Sequence, residues 1–95
     1  MMNNILLAVI TIFLSESVPY TVSTTSGTVV VRTQGDWHIN TNYPWKVTSQ
    51  GKTYDFNFSE QSATARGIPK GPAVLKGGVC SEAQCLTIKQ DLTIP

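Results

Sequence analysis

An all-β sandwich is the fold this sequence predicts, and three observations carry it. Apolar and polar residues alternate with period two through most of the chain after residue 17. Gly, Pro and Asn cluster between the alternating runs. No stretch offers capped, 3.6-residue periodicity of the kind a surface helix needs.

The clearest strand lies last. Leu86, Ile88, Leu92 and Ile94 share one face, with Gln90 the one polar residue among them, while Thr87, Lys89, Asp91 and Thr93 share the other. A polar residue in an apolar set points to a sheet edge or a bulge. Tyr54, Phe56 and Phe58 alternate with Asp55 and Asn57 in the same way, predicting one strand over residues 53–58. Residues 20–24 and 28–32 read as two strands joined at Ser26-Gly27, and residues 37–40, 45–48 and 73–76 complete the set. Ser49-Gln50-Gly51-Lys52 predicts a turn that makes a hairpin of residues 45–48 and 53–58. Residues 59–72 hold Gly67, Pro69, Gly71 and Pro72 and read as irregular. Six or seven short strands at this spacing predict an immunoglobulin-like β-sandwich. Its expected core is Leu86, Ile88, Leu92, Ile94, Tyr54, Phe56 and Trp37. Parity adds Trp45, which falls in step with Val47.

Ninety-five residues allow one small domain. Ile5 to Leu14 form an apolar run too short for a bilayer, which needs about 20 residues, but suited to the centre of a secretory signal. Ser15-Glu16-Ser17 then supplies small residues at alternate positions. Met1-Met2-Asn3-Asn4 carries no Lys or Arg, and an Ile/Val-rich run also reads as a buried first strand. We take residues 1–17 as a signal peptide and residues 18–95 as the domain, secreted or periplasmic, with no stable membrane span.

Seven basic and six acidic residues leave a net charge of +1, and the basic ones are scattered singly. Nucleic acid is therefore not an expected partner. There is no phosphate loop, no nucleophile elbow and no metal-ligand spacing. Cys80, Cys85 and the lone His38 make three ligands at best, so no metal and no cofactor are expected. Asn57-Phe58-Ser59 matches a glycosylation acceptor, a triplet that also arises by chance.

Chemistry, if the chain has any, rests on Cys80-Ser81-Glu82-Ala83-Gln84-Cys85. Behind an export signal, two cysteines across a turn predict a disulfide that pins a hairpin. Gly77-Gly78 just before them would permit a kink or bulge that brings the sulfurs together. Closing so short a loop removes about 2 kcal/mol of unfolded-state entropy, a useful amount for a small core. The alternative is a redox pair, although no neighbour in sequence favours a thiolate. His38 and Tyr43, in an aromatic stretch with Trp37 and Trp45, form a possible ligand surface, His38 pointing outward.

Two stretches resemble a known family. Gly35-Asp36-Trp37-His38-Ile39-Asn40, running on to Tyr43-Pro44-Trp45-Lys46, and Val79 to Cys85, leading into Lys89-Gln90-Asp91-Leu92-Thr93-Ile94, are similar to parts of the N-terminal periplasmic domain of the thiol:disulfide interchange protein DsbD. The resemblance implies an immunoglobulin-like sandwich whose two cysteines, here Cys80 and Cys85, pass electrons between a thioredoxin-like partner and periplasmic disulfide enzymes. One residue fewer separates the cysteines than in that family, and Leu86-Thr87 replaces an aromatic-proline step. No counterpart of the family's shielding loop is evident. The expectation is a non-catalytic binding or structural module with a stapled hairpin. The alternative is a thiol–disulfide carrier acting through Cys80 and Cys85, with a secreted or periplasmic protein as partner.

Overall fold

A computed structural model describes residues 19–95; the expected leader and its cleavage point lie outside the described residues. Among the described residues, nine strands form two antiparallel sheets. They are β1 (Tyr20–Thr25), β2 (Thr28–Thr33), β3 (His38–Ile39), β4 (Lys46–Ser49), β5 (Lys52–Tyr54), β6 (Asn57–Phe58), β7 (Ser62–Arg66), β8 (Gly71–Cys80) and β9 (Cys85–Ile94). One sheet runs β9-β8-β4-β5, with β3 also pairing to β8; the other runs β1-β2-β7-β6. A single buried cluster draws Val29, Val31, Ala63 and Ala65 from the second sheet and Val47, Leu75, Val79 and Ile88 from the first. The all-β sandwich is therefore the observed architecture. No helix among the described residues is long and apolar enough to cross a membrane.

Local chemistry explains the hairpins. Gln50 and Gly51 both take positive φ, 53° and 79°, as a two-residue turn between twisted strands requires. Glycine does so freely, whereas glutamine resists the left-handed region. Gln50→Asn is therefore expected to stabilise the protein by about 0.5–1 kcal/mol, read as a higher urea midpoint at unchanged slope.

Five expectations need correction, the first being the number of strands, nine among the described residues where the spacing predicts six or seven. Residues 53–58 are not one strand: Lys52–Tyr54 belongs to the first sheet and Asn57–Phe58 to the second. Asp55-Phe56 carries the chain between the layers, and Phe56 plugs the gap, 7% exposed with its ring 5.1 Å edge-on from Trp45. Residues 59–72 are not irregular throughout, because β7 lies within them. Its inward residues, Ala63 and Ala65, are fully buried but too small to stand out as a hydrophobic run. Leu86 keeps the inward parity of Ile88 yet stays 39% exposed, since it lies on an edge strand beside the hairpin end. Finally, Gly77-Gly78 makes no bulge: β8 and β9 pair without interruption from Gly71 opposite Ile94 to Cys80 opposite Cys85.

The two glycines have a different purpose. A Cβ on Gly77 would lie 2.5 Å from the Trp45 ring, and one on Gly78 would lie 3.1 Å from the Tyr43 Cβ. Strand β8 is thus clasped at this point, by Trp45 on its core side and Tyr43 on its outer side. Trp45 is 5% exposed and its indole N–H donates to the Asn40 carbonyl at 2.9 Å, so its burial leaves no polar atom unpaired. Ile88, Ile94, Phe56 and Trp45 are buried as expected, while Trp37, Tyr54 and Leu92 pack against the core only partly buried.

Candidate functional site

The hairpin closed by the cysteines is specified before the sulfurs are considered. Ser81 N–H donates to the Gln84 carbonyl at 2.7 Å, and Ser81 Oγ accepts from Ala83 N–H at 3.2 Å and Gln84 N–H at 3.3 Å. The serine thus turns its own loop by hydrogen bonds that act alongside the covalent link. Ten residues of ladder then align β8 with β9. In an antiparallel pair, hydrogen-bonded and non-bonded positions alternate, so the bonded Ser81/Gln84 step makes Cys80/Cys85 the close, non-bonded one. Their Cα atoms are 4.0 Å apart and the sulfurs are joined as a disulfide. The expected bond is present in the expected hairpin.

The surroundings of the bond are unequal on its two sides. Cys80 is 9% exposed, whereas Cys85 begins the edge strand and is exposed. β3 pairs with β8 so that Ile39 faces Val79 in the core and His38 faces Cys80 on the outer side. His38, Cys80 and Cys85 consequently stand in one row across three strands, with side chains of directly opposed residues about 4.5–5.5 Å apart at Cβ. His38 is exposed and points outward, as its parity implied.

Tyr43 joins this end of the sheet by another route. Residues 40–45 fold over β8: Asn40 N–H donates to the Gly78 carbonyl at 2.9 Å, Asn42 N–H to Asn40 Oδ1 at 3.1 Å and Trp45 N–H to the Tyr43 carbonyl at 2.9 Å. The turn lays Tyr43 on Gly78, two residues before Cys80 and on the same face of the strand. All four residues singled out in the sequence, His38, Tyr43, Cys80 and Cys85, therefore meet at one end of one sheet. Sequence reasoning missed Ser81 as the residue that closes the loop, and Gly77 and Gly78 as the seats of two aromatic rings. A pair of adjacent glycines inside an otherwise regular strand was the available signal for the second.

A disulfide exposed at one sulfur-bearing residue, Cys85, with a histidine on the neighbouring strand can take part in thiol–disulfide exchange; it can also act as a staple. With both sulfurs bonded to each other, neither is a thiolate ligand for a metal. Asn57, in the triplet that matches a glycosylation acceptor, is exposed on β6. No family model matches this chain, and no match stands among curated proteins or solved structures, so the reading of the site rests on its own residues.

Proposed function

We propose that this is an exported β-sandwich domain whose Cys80–Cys85 pair is a reversible thiol–disulfide couple, opened and reformed by a thioredoxin-like partner. One observation carries the reading. The disulfide lies at the end of a hairpin whose turn and register are also held by hydrogen bonds, with Cys85 open to solvent on the edge strand and Cys80 buried beside the core. Opening it should leave the same scaffold, as a carrier that cycles between two states requires. Exposed disulfides are also the more readily exchanged ones. The resemblance of the cysteine hairpin to the DsbD N-terminal domain supports the couple, while its shorter cysteine spacing and the lack of a counterpart to the shielding loop favour the staple.

The chemistry balances simply. A partner thiolate attacks the exposed Cys85 sulfur, a mixed disulfide forms there, and the Cys85–Cys80 bond breaks with its electron pair leaving on Cys80. In this reading a protonated imidazole at His38, whose backbone pairs with that of Cys80, gives the leaving thiolate its proton and is reprotonated from solvent. A second partner thiol then attacks the mixed disulfide, releasing Cys85 as a thiol and the partner as a disulfide. Two electrons have moved from partner to domain.

The competing reading, a staple in a non-catalytic module, draws on the small size of the domain and on the roughly 2 kcal/mol a loop this short contributes. Trapping distinguishes the two. Oxidised protein is mixed with a reduced thioredoxin-like dithiol, quenched by acid and weighed. Transfer of both reducing equivalents within seconds is expected, and with Cys80→Ser carrying an activated Cys85 the adduct should accumulate at residue 85. A bond that stays oxidised after hours with the reduced partner would leave only the staple.

A further inference from the structure

The longest unpaired edge in the described structure is that of β9, ten residues hydrogen-bonded to β8 on one side only. Because Ser81/Gln84 is a bonded pair, Gln84, Leu86, Ile88, Gln90, Leu92 and Ile94 turn their backbone groups toward β8. Cys85, Thr87, Lys89, Asp91 and Thr93 turn theirs toward the open edge, while their side chains stand on the outer face of the sheet. A free edge of this length is a template for another strand, and proteins blunt such edges with charges, bulges or proline. Here the ladder runs without a bulge and no proline falls within β9, so Lys89 and Asp91 are the only guards.

Those guards are complementary to themselves. If β9 pairs antiparallel with β9 of a second copy about a two-fold axis at Gln90, Lys89 falls opposite Asp91 and Asp91 opposite Lys89. Thr87 then faces Thr93, and the exposed Leu86 faces Ile94. All the odd-numbered pairs are ones whose backbone groups point outward, so the register also satisfies the hydrogen-bond alternation. The neighbouring two-fold registers do not work: a shift either way sets Lys89 against Lys89 or Asp91 against Asp91. Within one domain Lys89 already sits beside Lys76, which itself sits beside Lys46, three like charges in one cross-strand row. A second copy would place its Asp91 carboxylate at the open end of that row.

We propose that two copies of this chain associate through the β9 edges in this register, forming one continuous sheet across an isologous two-fold interface. The proposal is independent of the redox reading, because it uses neither cysteine. Sedimentation equilibrium on the oxidised protein tests it, with folding of each variant checked by circular dichroism. A dimer is expected at micromolar concentration. Lys89→Asp and Asp91→Lys, each of which sets like charges opposite each other twice per interface, should weaken it by about tenfold or more. The two changes combined should restore it. Gln90→Cys should cross-link two copies at the axis, and Thr87→Cys, whose counterpart lies far along the partner strand, should not. A monomer at all concentrations overturns the proposal, as does a dimer that ignores the charge exchange; a foreign extended segment as the edge's occupant would give the first result.

Discussion

Gly77→Val is expected to leave the protein largely unfolded at room temperature, and Gly77→Ala to lower its stability by about 1–3 kcal/mol. Three atoms of the Trp45 indole lie 2.5 to 2.7 Å from where a Cβ would sit. The ring has nowhere to go. Its N–H is tied to the Asn40 carbonyl, Phe56 stands edge-on at 5.1 Å and Phe58 at 5.9 Å, and 5% of the residue reaches solvent. The backbone cannot yield cheaply either, since β8 is the strand that pairs with β9, β4 and β3. A domain of this size holds only a few kcal/mol in reserve, so a valine that adds two methyls to the same clash exceeds what the core can absorb.

The complementary change tests the same contact from the other side. Trp45→Ala removes the ring and its hydrogen bond, and should cost about 3–5 kcal/mol by the usual measure for a buried aromatic. Gly77→Ala should then be nearly harmless in a Trp45→Leu background, because the clash needs the indole. Urea unfolding followed by far-ultraviolet circular dichroism measures all of these. If Gly77→Ala leaves the midpoint unchanged in the parent protein, the clasp on β8 is not there.

Much of this architecture was legible in the chain because its causes are local. Period-two alternation is a property of neighbours, so β9, β1 and β2 could be read directly, and so could the Gln50-Gly51 turn. Three failures share a physical origin in burial that the chain does not announce. Ala63 and Ala65 are as buried as valine elsewhere, yet alanine carries little hydrophobic signal. The run from Tyr54 to Phe58 keeps its parity while crossing from one sheet to the other, so alternation alone hides the crossing. Leu86 has the right parity but sits where an edge strand reaches the hairpin end, and parity gives direction rather than depth of cover.

The candidate site divides in the same way. Cys80 and Cys85 are close in sequence, and their pairing across a turn followed from spacing. His38 comes to Cys80 only through the β3–β8 pairing, a long-range register that no local pattern encodes. Tyr43 reaches the site because Gly78 lacks a side chain, a fact about the strand it touches rather than about the tyrosine.

The second large effect concerns that bond. Replacing both cysteines by serine should cost about 2 kcal/mol while preserving the all-β circular dichroism spectrum, because the buried cluster is drawn from both sheets and of the pair only Cys80 is buried beside it. Both the carrier and the staple share this outcome, so stability cannot choose between them; the equilibrium of the bond with external thiols can. Titration of the purified protein against dithiothreitol buffers of graded ratio, with thiols counted by alkylation and mass, gives its reduction potential. An exchange couple exposed at Cys85 should lie between about −270 and −180 mV, the span of thioredoxin and disulfide isomerase. A potential below about −300 mV, the range of disulfides that merely hold secreted proteins together, would contradict the carrier reading.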